Sequence, residues 1–517
     1  MVFDPELLKK RADLIARGID PYPYSFDRTH AILEVREREE ELLGKDVRVA
    51  GRLVAYRSKG KMVFADLAGF EGKPLQIVFR RDAFDEATWD AIRRGIDLGD
   101  WLGVGGKLFV TKVGELSVDC AELAILAKAV VRVPIPKTKD DRTFFQLSDP
   151  EIQARERYLH WIADPAARQV MVVRARAIAA IRRFLDSRGF LEVTTPTLEL
   201  TYGGAEARPF TTKVHALSGQ EVYLRISPEL PLKRFIVGGF EKVYTICQNF
   251  RNEGIDRSHN PEFTMLEWYE AFTDYEYQMR QFEELVASAV REVNAARRGR
   301  DRAGSGDPGD CRVAYQGVEL DFTPPWRRVT VAGALRDLGI DVLSMDEGAL
   351  LEEIARRGLE PPRPSSWGHA TALLFSELVE KRIVQPTFVC DYPVEISPLT
   401  KRKRGDERLV ERFEPVVAGM EIGNAYSELT DPVEQRERLE RQRALGTDKE
   451  GLAHHPIDED FLKAVGCGMP PTGGVGLGID RLVMLLADAH SIRDVIAFPL
   501  LRPAGSGAPP AAGGEHP

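Results

Sequence analysis

Apolar and polar positions change period several times along the chain. In residues 4–17 (DPELLKKRADLIAR), Leu7, Leu8, Leu14 and Ile15 recur at helical spacing, which predicts a short amphipathic helix. From Asp46 to about Val133 the pattern turns into short β runs (VRVAGRLVAYRS, KMVFADLAG, LQIVFRR, WLGVGGKLFVTK, ELSVDCAELAIL), with a helical piece at Asp82–Gly95. Five strands with one helix between the third and fourth predict a small closed barrel of the oligonucleotide-binding kind. Residues 134–166 read as linker and helix. A helix is predicted over Ala166–Arg188, with Ile178, Ile181 and Leu185 on one face and Gly189 as its C-cap, followed by a strand in FLEVTTPTLE that ends at Pro196.

The stretch that organises the remainder is Thr245–Phe272, TICQNFRNEGIDRSHNPEFTMLEWYEAF. A strand should end at Phe250-Arg251-Asn252-Glu253, and a turn-rich loop follows (Gly254, Asp256, Ser258, Asn260, Pro261). Phe263–Phe272 then resumes as a strand or a short helix. Residues 273–384 read as an inserted, mainly helical segment: Asp274–Arg297, the flexible loop RRGRDRAGSGDPGD, then helices near 350–357 and 369–382. A hairpin turning at Ala418-Gly419 is expected in ERFEPVVAGMEIGNAYSELTD. The run GMPPTGGVGLGIDRLVMLL should be a glycine-rich strand entering a helix through Asp480-Arg481. The class is α+β. The expected domains are a helical extension (1–45), the barrel (46–134), a linker (135–166), a second domain (167–503, interrupted at about 273–384) and a disordered tail (504–517).

With 517 residues, 43% hydrophobic and 29% charged, the chain has ordinary globular proportions and room for two or three domains. A net charge of −9 argues against wholesale coating of nucleic acid, though not against a local basic patch. Cys120, Cys247, Cys311, Cys390 and Cys467 are scattered without a CxxC pair, so neither zinc nor a disulfide framework is expected, and a reducing cytoplasm is. Charges inside the first apolar pattern argue against a signal peptide, and no uncharged run reaches the roughly 18 residues a bilayer span needs.

Several residues suggest chemistry. Arg251 can fork onto a phosphate or carboxylate, and Phe263 can stack on a base. Gly203-Gly204 suits either a tight turn or close approach of backbone to ligand. Glu229 and Lys233 lie in ISPELPLKRFIVGGFEKVY, just before the central stretch. Glu414 and Glu421 flank a turn, as an acidic solvated hairpin would, or as two carboxylates sharing a nucleotide-bound Mg²⁺. Strict strand alternation puts Glu421 on the face opposite Asn424 and Glu428, so a common pocket requires a bulge near Gly423. The glycine-rich run is neither a Rossmann fingerprint nor a P-loop, since its third glycine is misplaced and no GK[ST] follows. In the barrel, Arg57, Lys59 and Lys61 lie near Phe64, and Gln76 can bond a base edge, the ingredients of a single-strand groove. Phe64 as core and the lysines as a solvated face is the alternative.

FRNEG…HNPEFTMLEWYEAF resembles the second signature motif of class II aminoacyl-tRNA synthetases and is most similar to that of lysyl-tRNA synthetases. The 166–196 helix–strand and GVGLGIDRLVMLL resemble motifs 1 and 3, and the likeness spans about 46–503. It implies an antiparallel catalytic sheet, a homodimer built on motif 1, and ATP, L-lysine and tRNA(Lys) as substrates. Arg251 would bridge the lysine carboxylate and the α-phosphate, and Arg481 would meet the γ-phosphate. Glu253, His259, Asn260 and Phe263 would surround the adenosine, with Mg²⁺ on Glu414 and Glu421. Glu229 would hold the α-ammonium, and Glu428 with Tyr269 the ε-ammonium. Gly204, Glu267 and Asn424 would complete the lysine pocket. Arg57, Phe64 and Gln76 would read the anticodon.

Thr245, Cys247 and Gln248 stand where such proteins commonly show glutamate, glycine and arginine. Pro231 replaces a usual tyrosine, and 137–146 also departs. Rival readings fare worse. Aspartyl and asparaginyl enzymes need a cationic or amide-donating pocket, which Glu428 would oppose. Lysyl transferases acting on protein or lipid lack the barrel or carry membrane spans. A non-catalytic paralogue would be expected to lose Glu414, Glu421 or Arg481.

Overall fold

The protein is described here as a computed structural model covering residues 3–139, 142–144, 147–298, 307, 309–444 and 456–501. The expected tail, most of the 297–310 loop and part of 137–146 fall outside the described residues. Two compact units divide the chain, Met1–Arg168 and Gln169–Pro517.

In the first unit, β1 (Asp46–Lys59), β2 (Met62–Ala68), β3 (Leu75–Arg80), β4 (Trp101–Val110) and β5 (Leu116–Ala127) close in the order β1-β2-β3-β5-β4. Period-two alternation builds it: Val63, Ala65 and Leu67 are buried, while Met62, Phe64 and Asp66 face outward. The helical stretch between β3 and β4 is a 3-10 turn (Arg81–Ala83), an α-turn (Glu86–Asp90) and a π-turn (Ala91–Gly95). The first helix, Pro5–Ala16, is N-capped by Asp4 and buries Leu7 and Leu14, the latter in the barrel core. Ile15, expected on the same face, is exposed, so the apolar stripe is narrower than the pattern implied.

The second unit is organised on a large mixed sheet. Its main strands are β6 (Leu191–Glu192), β7 (Lys242–Phe250), β8 (Glu262–Ala271), β9 (Arg327–Thr330), β10 (Thr387–Pro393), β11 (Asp406–Val417), β12 (Gly423–Ser427) and β13 (Thr472–Gly478), in the spatial order β9-β10-β11-β12-β13-β8-β7-β6. All neighbours along this path are antiparallel except the edge pairs β9/β10 and β6/β7. The segment after the central loop, open between strand and helix in the sequence, is thus the strand β8. Helices Pro165–Ser187, Tyr275–Arg298 and Ile479–Ala487 share one core with the sheet, where Ile181, Leu185, Phe282, Trp268, Phe413 and Leu482 are essentially inaccessible. Each such side chain contributes about 1.5–3 kcal/mol of burial.

Two expectations are corrected. The strand expected to run to Pro196 is only Leu191–Glu192, and a second two-residue piece, Leu198–Glu199, follows Pro196; the two pair with different neighbours, and proline has no N–H to donate to a ladder. The 273–384 segment is only partly an insertion. Helix Tyr275–Arg298 places Phe282 in the central core, and β9 is an edge of the large sheet. The helices Val331–Arg336, Glu347–Arg356 and Trp367–Leu378 pack around Leu335, Leu350, Ile354 and Leu374 and onto Val389 and Tyr392 of β10 and Val410 and Val416 of β11, a second core on the large sheet.

Candidate active site

The strand pairing builds the floor of the site. Gly474 of β13 lies between Tyr269 of β8 and Tyr426 of β12, and Gly476, two residues on, lies between Glu267 and Asn424. Alternate residues share a face, so the glycines carry no side chain where four functional ones converge. The pairing of β11 then shifts by one residue between Val416↔Glu421 and Phe413↔Ala425, and Ile422 interrupts the strand. This is the irregularity that the spacing of Glu421, Asn424 and Glu428 required. Above the floor is a cavity of about 330 Å³.

Gly204, Glu229, Arg251, Glu253, His259, Asn260, Phe263, Glu267, Tyr269, Glu421, Asn424 and Arg481 all line this cavity. Gly204 has φ +83°, a conformation that favours glycine. Glu414 and Glu428 do not belong to the lining. Glu414 is bound by the Tyr392 hydroxyl at 2.7 Å and by Arg412 at 2.5 Å. Glu428 is 1% exposed and packs behind Gly474, where a Cβ would collide with its Oε1 and with the Tyr269 ring.

One end of the cavity is cationic. The Arg251 guanidinium lies over the Phe263 ring, 5.1 Å from its centroid, and its one hydrogen bond among the described residues runs from Nε to the Ile226 carbonyl at 3.4 Å. Its other donors are thus open to an anion. Arg481 donates to the Glu421 carbonyl at 2.7 Å and reaches the Glu421 carboxylate at 3.2 Å. Asp256 holds His259 Nδ1 at 2.7 Å, leaving Nε2 to accept from Arg481 at 3.1 Å. Asn260 is 5% exposed, and its Oδ1 has no hydrogen-bond partner among the described residues.

The other end is acidic. Ser227 Oγ donates to Glu267 Oε1 at 2.9 Å, and the Tyr269 hydroxyl, which the resemblance places with Glu428 at the ε-ammonium, donates to Oε2 at 3.2 Å. Burial and the facing Glu229 push Glu267 up to about 8, with the hydrogen bonds and Arg251 opposing. Glu229 and Glu267 line this end of the cavity, and Glu428 is buried behind it.

The region described as tRNA synthetases class II (D, K and N) matches residues 149–502, and an OB-fold nucleic acid binding domain matches 47–126. The chain belongs to the class II tRNA synthetases. A lysine--tRNA ligase of Clostridium perfringens (strain ATCC 13124) is 44% identical over 511 residues, covering 97% of this chain and 96% of that one. Its counterpart in Moorella thermoacetica is 46% identical over 502 residues, covering 96% and 97%. One from Thermoanaerobacter sp. (strain X514) is 44% identical over 508 residues, covering 96% of each.

Of the departures from the common synthetase pattern, Thr245 and Cys247 are buried in β7, Gln248 is exposed, and Pro231 sits in the first turn of helix Glu229–Val237, where proline is tolerated. In the barrel of this class II synthetase, Arg57, Phe64 and Gln76 line one groove together with Arg36, Arg80 and Lys112. Phe64 is therefore not core, and five cations with Lys73 face Asp66 and Glu115 there. Residues the sequence reading did not assign also shape the active site. Asp480 accepts from the Thr264 N–H at 2.6 Å and pairs with Arg174, fixing β8 against helix Ile479–Ala487. Tyr426 donates to Glu229 Oε1 at 2.7 Å. Lys233 is fully buried among the carboxylates, and its spacing of four from Glu229 on a helix was the available signal.

Proposed function

We propose that this chain is a lysine–tRNA ligase, forming lysyl-adenylate and pyrophosphate from L-lysine and ATP and then passing the lysyl group to the 3′ end of tRNA(Lys). The carrying observation is the polarity of the cavity: arginines at one end, and Glu229, Glu267 and the buried Glu428 at the other. Lysine has two ammonium groups to satisfy that acidic end and one carboxylate to meet Arg251. The attacking carboxylate is already ionised, so adenylate formation needs alignment and charge neutralisation rather than a general base. Arg251 bridges the carboxylate and the α-phosphate, and Arg481 holds the far end of the triphosphate. Glu253, His259 and Asn260 embrace the adenosine, with Phe263 as its stacking surface. Tyr269 and Asn424 orient the amino acid, and Gly204 admits it.

The donor set fits Mg²⁺, which takes one or two carboxylates and completes its shell with phosphate oxygens and water. Glu414 and Glu421 would hold it, Glu414 by turning from Arg412 and Tyr392, which bind its two oxygens outside the cavity lining; burial pushes Glu414 up to about 7 against the Arg412 charge, with the Glu421 charge adding to the rise. Among the described residues no cluster of three or more acidic, His or Cys ligands forms a self-sufficient cage. When bound, the ion would neutralise triphosphate charge.

The groove at Arg57, Phe64 and Gln76 would take the anticodon. A homodimer through helix Pro165–Ser187 and the strand pieces beyond it is supported by the exposed Leu191, Leu198 and Leu200. The five cysteines are free, which suits the cytoplasm, and no helix among the described residues is long and apolar enough to cross a membrane. ATP–pyrophosphate exchange over a panel of amino acids tests the reading: lysine should be the preferred substrate, and preference for aspartate or asparagine would overturn it.

A further inference from the structure

A lysine of the protein's own lies buried beside the proposed lysine pocket. Lys233 Nζ lies 2.6 Å from Glu229 Oε1 and 2.5 Å from Glu428 Oε2, with its side chain fully buried. The rings of Tyr426 and Phe461 face it at 5.6 and 5.8 Å. Burial would pull this ammonium down, but the charges of Glu229 and Glu428 outweigh it, so the group stays protonated above the ordinary lysine value. Lys233 does not line the cavity; Glu229 does, and Glu428 lies directly behind the cavity wall at Gly474. One oxygen of each carboxylate is therefore engaged away from the cavity. Glu428 Oε1 has no partner among the described residues, although it is buried.

We propose that Lys233 is a positioning residue that sets amino-acid specificity. Its ammonium pins one oxygen of Glu229 and one of Glu428, so that their other oxygens stand at a fixed separation. That separation measures the distance between the two ammonium groups of the substrate. The inference rests on reading the cavity as a lysine pocket. A rigid pair of carboxylates rejects ornithine, one methylene shorter, because its terminal ammonium cannot reach Glu428 while its α-ammonium stays on Glu229. Without Lys233 the two carboxylates repel, relax and follow the shorter substrate.

The test is ATP–pyrophosphate exchange with lysine and with ornithine on the full chain, comparing wild type, Lys233→Met, Glu428→Gln and the double variant. Lys233→Met should raise the lysine KM by about tenfold or more, leave the ATP KM within about threefold, and lower the lysine-over-ornithine ratio of kcat/KM by about tenfold. A general structural role would move both KM values and leave the ratio alone, and that result overturns the proposal. Should Lys233→Met fail to fold, the comparison of Glu428→Gln with the double variant decides. Adding Lys233→Met should then change the ratio by less than about twofold, since lysine and ornithine differ only at the terminal ammonium that Glu428 meets, and the hold of Lys233 on Glu229 affects both alike. A tenfold further fall would mean an independent role and would sink the idea. A wild type that does not activate lysine removes the pocket reading itself. A wild type that does, with an unaltered ratio in the variants, removes only the role of Lys233.

Discussion

Replacing Gly474 by alanine probes the architecture of the amino-acid end most directly. The added methyl would meet Glu428 Oε1 well inside van der Waals distance and the edge of the Tyr269 ring at 2.5 Å. Neither neighbour can yield freely. Tyr269 is held in β8 opposite this residue, with its hydroxyl on Glu267, and Glu428 is held by Lys233. Overpacking of this kind costs roughly 1–3 kcal/mol, and loosening a buried ion pair approaches the roughly 3–5 kcal/mol of losing a partner. A loss of about 3 kcal/mol in recognition of the ε-ammonium corresponds to about a hundredfold, at 1.4 kcal/mol per factor of ten. In pyrophosphate exchange Gly474→Ala should therefore lower kcat/KM for lysine by about two orders of magnitude, with the ATP KM little altered. Calorimetry run alongside should show a folded protein with a reduced Tm. A folded Gly474→Ala enzyme whose lysine kinetics stay within about threefold of wild type would mean that Glu428 does not serve the pocket.

Glu428→Gln should lower lysine activation by about two orders of magnitude or more, because a buried cation loses its counter-charge; near-normal lysine KM in exchange assays would refute the assignment. Glu267 carries a proton in the fold up to about pH 8, whereas its unfolded reference is 4.5. Its contribution to stability is therefore fully present below pH 4.5 and is lost as pH rises through 8. Glu267→Gln should raise Tm relative to wild type at pH 8.5 but hardly at pH 4.5, an effect on the order of 4 kcal/mol from the linkage of about 1.4 kcal/mol per pH unit; equal Tm differences at both pH values would contradict this. Cys467 is exposed while Cys120, Cys247, Cys311 and Cys390 are buried, with burial pushing Cys247 up to about 12. Maleimide and mass spectrometry should thus find one labelled thiol in the native chain and five after denaturation. Phe64→Ala should weaken tRNA aminoacylation by about tenfold, the value of one stacked base, without changing pyrophosphate exchange; a parallel fall in both would place Phe64 outside RNA recognition.

The chain's own periodicities determined much of this protein. Alternation over 46–127 set the barrel, though it left Phe64 open between groove and core, and FRNEG set the cationic end of the cavity. Even the interruption near Gly423 was legible, because three carboxamide and carboxylate positions could not share a face without it. These are local matters, fixed by a period of two or of 3.6 residues. Tertiary structure decided which charges meet. Lys233 four residues after Glu229 reads as an ordinary helical ion pair, and nothing nearby announces Glu428, which the order of β12 and β13 carries onto the same ammonium. Tyr269 sits in a legible strand, yet its hydroxyl serves Glu267 rather than Glu428 because both belong to β8. The helix Tyr275–Arg298 reads as the start of an insertion from its position in the chain and becomes core because its apolar face finds the sheet. Sequence specifies which side chains a face presents. Only the packed sheet specifies what that face is presented to, since burial energy and charge pairing depend on partners that are distant along the chain.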